Sequence, residues 1–381
     1  MVSFPNPRSR HPFHMHSMIH GQPAFVEEAV RRVRSSEFFA SLSRARHLVL
    51  TGCGTSYHAA QYGARILQAA DERRVVQAIH AYDVAERSLP GTKATVVGVS
   101  HSGSTPTTNR ALARAKEAGH RVAGICGLSG SKMEDLADDV LVIGSTHDRS
   151  WANTMSYTTQ LASFAALAVQ GRPEWTDVDR GISQMPRMLE KALNAEKGAR
   201  VLSRRFARKD RITFLGSHWD EITALEAALK IRETCGVAAS GYHPEQFLHG
   251  PFLSLERDEP VVFLRTRDDR ARASVLFQAL SKTGAAVTEI GERSSARIQL
   301  PAVHPFLRPI VTIVPLQFLA YYAALARRAN PDIMRTDIPR LHAGVEALFH
   351  SWRGPAGFRR SSSFPSRCAA TGGDASFRSR R

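Results

Sequence analysis

The chain contains few cysteines, and their spacing fits neither disulfide nor metal chemistry. Cys53, Cys126, Cys235 and Cys368 form no C-x-x-C pair, and no histidine accompanies them at zinc-ligand spacing. We therefore expect reduced thiols rather than a disulfide framework. The sequence also offers no cluster of histidine and carboxylate at ligand spacing, so we predict no metal site and no cofactor.

Long apolar segments are missing as well. The N-terminal residues MVSFPNPRSRHPFHM lack the apolar core of a signal peptide. Apolar runs stop short of the roughly eighteen residues that a membrane span needs. The sequence therefore predicts a cytoplasmic protein without a membrane segment.

Acidic residues are outnumbered, with 35 Asp and Glu against 51 Lys and Arg, giving a formal charge of +16. Part of this excess lies in residues 352–381, which hold seven Arg against one Asp. The chain has no helix-turn-helix or zinc-finger pattern and no interleaving of aromatic and basic residues, so nucleic-acid binding is not expected as the main function. The segment 352–381, rich in Gly, Ser and Arg, is expected to be disordered.

Strand-like and helical segments alternate regularly along most of the chain. From His47 onward, short β-branched runs alternate with longer helical ones, and after a charged helical stretch a second round opens at Arg211. Such alternation is typical of βαβ units with a parallel sheet. We predict an α/β fold of two doubly wound, flavodoxin-like modules. The expected boundaries are a lead-in segment (1–40), a first module (41–175), a helical linker (176–209), a second module (210–330) and a C-terminal segment (331–351).

Two strand-to-helix corners in the first module are rich in small hydroxyl residues. They read TGCGTS, from Thr51, and SHSGSTPTT, from Ser100. Ligands of parallel sheets bind where strands end and helices begin, and helix N-termini favour anions. The hydroxyls fit either simple helix capping or a phosphate site. The candidate phosphate and substrate residues are Cys53, Gly54, Thr55, Ser56, Ser100, His101, Ser102 and Thr105.

The second module contributes ALEAALKIRETCG and EQFLHGPF. Lys230 and Glu233 lie three residues apart on a predicted helix, where they form either an exposed ion pair or a functional pair. His249 precedes a Gly-Pro turn that could aim its side chain at a cleft, although a lone histidine is more often structural.

Five motifs together resemble a known family. TGCGTSYHAA, SHSGSTPTT, ANTMSYTTQLASFAALA, LGSHWDEITALEAALKIRETCG and EQFLHGPF are similar to the sugar isomerase (SIS) domain family, specifically to the tandem-SIS isomerase half of glucosamine-fructose-6-phosphate aminotransferase. The resemblance runs from about residue 15 to about residue 350.

The resemblance assigns roles to the candidate residues. It implies that the two hydroxyl corners hold the phosphate of a hexose 6-phosphate, and that Lys230, which matches a nearby family lysine, belongs to the phosphate- or substrate-binding residues. It implies that Glu233 moves a proton between sugar C1 and C2, a task for one carboxylate within reach of both carbons. His249 matches the histidine that assists ring opening from the partner subunit of a dimer, so we expect a homodimer. The resemblance thereby favours function over the structural interpretations.

The sequence also departs from this family. His101 and Ser104 stand where the aminotransferase has Gln and Glu. Only about forty residues precede the first strand, and no cysteine lies near residue 1, so we expect no glutaminase activity in this chain. The segment that matches the family's Schiff-base lysine holds Arg335 and Arg340, and no lysine follows Lys282. A guanidinium stays protonated and cannot form an imine.

Three hypotheses follow. The first is a sugar-phosphate isomerase, deaminase or deglycase that acts by enolisation on a hexose, amino-sugar or fructosamine 6-phosphate. The second is a non-catalytic sugar-phosphate sensor or regulatory protein, and the third is a regulator linked to nucleic acid.

Overall fold

We describe the fold from a computed structural model, which covers residues 6–87, 89, 93–267 and 271–350. The basic tail, 352–381, lies outside the described residues, as do residues 1–5 of the lead-in segment. Two five-stranded sheets, every described strand pair parallel, make up the centre of the molecule. The prediction of two α/β modules is thus confirmed.

The first module follows the flavodoxin-like strand order β2-β1-β3-β4-β5. Strands β1 and β3 are neighbours, with Leu48 opposite Thr95 and Thr51 opposite Gly98. The carboxyl ends of these two strands therefore lie side by side. The strands are β1 His47–Gly52, β2 Val75–His80, β3 Thr95–Ser100, β4 Arg121–Cys126 and β5 Asp139–Val142. The helices are α4 Thr55–Ala70, α5 Ala81–Glu86, α6 Pro106–Glu117, α7 Lys132–Leu136 and α8 Met155–Val169.

The second module repeats this topology. Its sheet order is β10-β9-β8-β6-β7, the same arrangement when the strands are counted from the start of the module. The strands are β6 Arg211–Gly216, β7 Ala238–Tyr242, β8 Pro260–Arg265, β9 Ala286–Gly291 and β10 Ile298–Gln299. The helices are α12 Asp220–Cys235, α13 Pro244–Leu248, α14 Ala271–Lys282 and α15 Arg308–Ala326. Two 3-10 turns, Pro251–Ser254 and Pro305–Leu307, lie between them.

Further helices precede the first module, connect the two modules and follow the second. The predicted linker is helical, and its helices pack on the core rather than spanning a gap, since Leu189, Ala199 and Phe206 are buried in it. The N-terminal helices α1 His14–His20, α2 Gln22–Arg34 and α3 Phe38–Ser43 precede the first sheet. The linker holds a 3-10 turn Pro173–Trp175 and helices α9 Thr176–Ser183, α10 Met185–Leu193 and α11 Glu196–Phe206, and α16 Pro339–His350 ends the described chain.

Helices α8, α12 and α15 are largely buried, and α12 packs against α15 and against strands β6 and β7. Every residue of α8 is buried, and α8 and α15 have apolar residues all round, as expected of core helices. The helix 305–326 reaches the length and mean hydropathy (1.6) of a membrane span, contrary to the sequence prediction that no run would. It is 89% buried within the fold, so a core position accounts for its composition.

Candidate functional site

Two loops meet at the carboxyl edge of the first sheet, as predicted. One leads from β1 into α4 and the other from β3 into α6, and neither helix has an acidic residue in its first turn. Because helix N-termini carry unpaired N–H groups and a positive dipole end, this corner can accept an anion. We call these two loops, Gly52–Thr55 and Ser100–Thr105, the clamp loops.

The first clamp loop depends on glycine. Gly54 is the N-cap of α4, with φ 54° and ψ −127°, a conformation that side chains oppose. Helix capping is one of the two roles considered for the hydroxyls of this corner, but Thr55 and Ser56 lie inside α4 and its N-cap has no side-chain hydrogen bond. The Thr55 hydroxyl instead donates to Glu226 Oε1 at 3.0 Å. Ser56 Oγ accepts from Gln160 Nε2 at 3.2 Å.

The second clamp loop holds its hydroxyls close together. Ser100 Oγ and Thr105 Oγ1 lie 3.0 Å apart, and Ser102 Oγ accepts from the backbone N–H of Ser104 at 3.2 Å. Thr105 is the N-cap of α6, yet its side chain makes no capping hydrogen bond. The capping interpretation therefore fails for Thr105. Ser102 is exposed, and Thr105 is half-buried.

His101 has a different position from the other clamp candidates. Its ring is buried, and Nε2 accepts from the backbone N–H of Asp148 at 2.9 Å. Burial lowers the pKa of His101 to about 4; His147 adds to this effect and Asp148 opposes it. At neutral pH the ring is therefore uncharged and holds the Asp148 loop. The candidates on the open side of the clamp are Cys53, Gly54, Ser56, Ser102 and Thr105.

Helix α12 brings three charged side chains to the first clamp loop. Glu226, Lys230 and Glu233 occupy positions i, i+4 and i+7, which share one helix face. Lys230 Nζ donates to Thr55 Oγ1 at 3.0 Å, to Glu233 Oε2 at 2.5 Å and to the Ala152 carbonyl. It also lies 3.3 Å from Glu226 Oε1. The second module thus supplies a charged cluster directly behind the clamp.

Lys230 is buried behind the clamp rather than on its open side. We expected it to contact phosphate or substrate, but its side chain is 0% exposed and enclosed by these four acceptors. An ammonium has three hydrogens, and all are used within the protein. In this structure Lys230 joins α12 to the first clamp loop, and its contact with phosphate or substrate stays a prediction.

The cluster moves the pKa of Glu233 to about 7, above its ordinary value. Burial is the main cause, the charge of Glu226 adds to it, and Lys230 opposes it. For Glu226, burial is outweighed by Lys230, His58 and Thr55, so its pKa is lowered. The pKa of Lys230 is raised because the two carboxylates outweigh burial. Glu226 and Lys230 form the fixed ion pair, and Glu233, 14% exposed, is the group that titrates.

His249 is not brought to this cluster within one chain. It follows α13 with an exposed side chain, and its backbone N–H donates to the Glu245 carbonyl at 3.2 Å. Among the described residues, no contact joins its imidazole to Glu233 or to the clamp loops. Gly250, with φ 136°, turns the chain immediately afterwards.

Sequence reasoning missed two members of the site, Glu226 and His58, and one polar cluster outside it. Glu226 is fully buried and accepts from His58 Nδ1 at 2.6 Å as well as from Thr55. The available signal was a Glu four residues before Lys230 and seven before Glu233 in an otherwise apolar helix. It also missed a histidine and carboxylate group, in which ligand atoms of His16, His20 and Glu196 lie within 4.8 Å of one another.

Comparisons with known proteins agree with this architecture. Residues 41–170 match the SIS domain family. The chain is 27% identical over 322 residues to glutamine–fructose-6-phosphate aminotransferase [isomerizing] of Aquifex aeolicus (strain VF5), covering 80% of this chain and 54% of that protein. The corresponding Thermus thermophilus protein is 29% identical, with 84% and 57% covered. The chain thus spans about half the length of the curated relatives it matches.

Solved structures share the fold. The C-terminal domain of glucosamine-fructose-6-phosphate aminotransferase from Francisella tularensis superposes with a TM-score of 0.78 at 20% identity, covering 84% of this chain and 98% of that one. Glucosamine-6-phosphate deaminase from Thermotoga maritima gives 0.69 at 22%, with 84% and 96% covered. Tagatose-6-phosphate ketose/aldose isomerase from Escherichia coli gives 0.72 at 23%, with 86% and 97% covered.

Proposed function

We propose that this protein is a sugar-phosphate enzyme of the isomerase type. It binds a hexose, amino-sugar or fructosamine 6-phosphate and moves a proton between C1 and C2. The observation that carries the proposal is Glu233, a partly exposed carboxyl with a pKa of about 7 on a helix hydrogen-bonded to the first clamp loop. The SIS match over 41–170 and the named activities of the relatives point to the same chemistry.

The clamp loops fix the phosphate end of the substrate. Ser56, Ser102 and Thr105 offer hydroxyls on the open side, and two helix N-termini supply N–H groups and positive dipole ends. The binding needs no Lys or Arg at the phosphate, which agrees with the enclosed position of Lys230.

Glu233 acts at the other end. In its ionised form it removes the proton from C2 of the open-chain aldose, which leaves an enediolate, and returns that proton to C1; the hydroxyl proton passes from O2 to O1, which completes the ketose. A base with a pKa near the working pH is suited to both directions of this transfer. Isomerase, deaminase and deglycase reactions all begin with this enolisation, so the clamp and base serve any of them.

We further propose that ring opening uses His249 from the partner subunit of a homodimer. Its imidazole is exposed and outside the cluster of its own chain, so a second chain can receive it. A histidine can protonate the ring oxygen near neutral pH. Co-expressed His249→Ala and Glu233→Gln subunits should then regain part of the activity in mixed dimers. Mixed dimers as inactive as either parent would contradict the shared site.

The enolisation itself is tested by isotope exchange. The protein is incubated in heavy water with glucose 6-phosphate, fructose 6-phosphate, glucosamine 6-phosphate and fructosamine 6-phosphate. We expect deuterium at C1 or C2 of at least one of them. Glu233→Gln should lower the rate by about 10²- to 10⁴-fold, as expected for loss of a general base, while sugar-phosphate binding persists. Glu221→Gln, on the same helix and paired with Arg65 at 2.7 Å, is the matched control and should keep the rate.

The alternative is a sugar-phosphate sensor. It is favoured by Arg335 and Arg340 in the segment that matches the family's lysine segment, since no lysine follows Lys282. Tight binding of these sugar phosphates without exchange for any of them would reject the enzyme and support the sensor. Exchange that survives in Glu233→Gln would reject Glu233 as the base.

A further inference from the structure

Helix α1 and the first residue of α11 form a second polar cluster. His16 and His20, four residues apart on α1, both direct Nε2 at the carboxylate of Glu196. His16 Nε2 lies 2.8 Å from Oε1, and His20 Nε2 lies 3.0 Å from Oε2. The two imidazole rings are 4.5 Å apart between centroids. None of these residues belongs to the clamp loops or to the charged cluster of α12.

We propose that His16, His20 and Glu196 bind one divalent first-row transition cation such as Zn²⁺. The two histidines bind through Nε2 and the glutamate through its carboxylate, which leaves room for water on the metal. Two histidines at i and i+4 on one helix face, together with a carboxylate from another element, form a donor set that binds such cations in preference to Ca²⁺ or Mg²⁺. The proposal is independent of the proposed sugar-phosphate activity.

The geometry lies close to what a cation requires. At zinc–ligand distances near 2.0–2.1 Å, donor atoms of a tetrahedral site lie about 3.3 Å apart. The three ligand atoms already lie within 4.8 Å of one another. Side-chain rotation that widens the two N–O separations by about 0.3–0.5 Å and brings the two Nε2 atoms to a similar spacing would admit the ion. His20 is 40% exposed and Glu196 is 26% exposed, so the cluster is open to solvent.

Neighbouring groups orient the carboxylate. The Tyr322 hydroxyl donates to Glu196 Oε1, an outer partner of the kind that fixes metal ligands. Arg200 stands over the Tyr322 ring, 5.5 Å from its centroid, and its charge opposes a cation. The centroids of the His11 and His16 rings lie 5.0 Å apart, and His11 Nδ1 is hydrogen-bonded to the Tyr321 hydroxyl at 2.7 Å.

A bound cation would join α1 to α11 directly, and α15 indirectly through the hydrogen bond of Tyr322 to Glu196. His16 and His20 belong to α1, Glu196 to α11, and Tyr322 to α15. A ligand that binds only the folded state raises its stability in proportion to the logarithm of the ligand concentration. The melting temperature should therefore rise by a few degrees in excess Zn²⁺ and fall again after chelation.

The competing explanation is a metal-free hydrogen-bonded cluster that only joins α1 to α11. Direct titration separates the two. The untagged full-length chain, stripped with a chelator, is titrated with Co²⁺, and visible absorption and calorimetry are recorded. We expect one equivalent, with absorption typical of four- or five-coordinate Co²⁺, displaced by Zn²⁺.

Variants assign the site. His20→Asn and Glu196→Gln should each weaken Co²⁺ binding by tenfold or more and abolish the thermal shift. His342→Asn is the matched control, because His342 pairs with the single carboxylate of Glu346 at 3.3 Å and should leave binding unchanged. Because His20 is 40% exposed, His20→Asn should fold normally, and the melting temperature of the metal-free variant checks this. Equal Co²⁺ binding by wild type and His20→Asn, or no saturable binding by the wild type, would overturn the proposal.

Discussion

The Thr55 hydroxyl, at the start of α4, donates to the buried carboxylate of Glu226, in the middle of α12, at 3.0 Å. This hydrogen bond joins the first sheet's clamp loop to a helix of the second module. Lys230 contacts both groups, so hydroxyl, carboxylate and ammonium form one network. The proposed phosphate site and the proposed base therefore lie where the two modules meet. A substitution in either module is expected to affect both.

The exchange rate should depend on pH through Glu233. Its carboxyl must be ionised to act as a base and its pKa is about 7, so the rate should rise with pH and level off above that value. Glu226→Gln removes a negative charge that raises this pKa, so the inflection should move to lower pH. A pH–rate profile of both proteins checks this. An inflection that does not move would contradict the coupling between the two carboxylates.

Stability should fall as pH rises through the same range. The folded pKa of Glu233 is raised above its ordinary value of 4.5, so the folded state holds the proton more tightly than the unfolded chain. The stabilisation is complete below the ordinary value and is lost as pH rises towards about 7. Glu233→Gln should remove this dependence, which amounts to about 3 kcal/mol in the free energy of unfolding. Urea denaturation between these limits measures it, and identical slopes for the two proteins would contradict it.

Removing the buried ammonium should destabilise the fold. Lys230→Met leaves Glu226 and Glu233 facing each other without the charge between them, and breaking a buried pair costs about 3–5 kcal/mol. The loss should be larger at alkaline than at acidic pH, where Glu233 is protonated. Lys191→Met, at an exposed position of α10, is the control and should stay within about 0.5 kcal/mol of wild type. Chemical denaturation measures the free energy of unfolding of both variants, and an equal loss in Lys230→Met and Lys191→Met would contradict the network.

The clamp makes a prediction about ligand specificity. Thr105→Val keeps the shape of the side chain and removes the hydroxyl that pairs with Ser100. Hydrogen bonds to charged groups contribute about 1.5–3 kcal/mol, so the Kd for a sugar phosphate should rise about tenfold to a hundredfold. The Kd of the unphosphorylated sugar should not change. Calorimetry with Thr176→Val, an exposed threonine of α9, provides the comparison. Equal weakening of both ligands would contradict a phosphate contact.

Local patterns in the sequence predicted much of the fold. Alternating β-branched and helical runs gave two modules, and Gly-rich, hydroxyl-rich turns marked the loops before α4 and α6. These features depend on residues close together in the chain, where conformational preference and strand–helix periodicity act. Glu233 and His249 were both selected from the family resemblance, since the helix and the turn alone favoured a structural role for each; the catalytic role of each remains a prediction.

The sequence by itself determined the two parallel-sheet modules and the hydroxyl-rich loops, because turn chemistry and apolar periodicity are written in consecutive residues. Only the tertiary structure decided that Lys230 is enclosed, that Thr55 bonds Glu226 across 171 positions, and that His16 and His20 meet Glu196. It also placed the apolar helix 305–326 in the core. Such contacts follow from packing between distant segments, and packing fixes burial, charge pairing and pKa together.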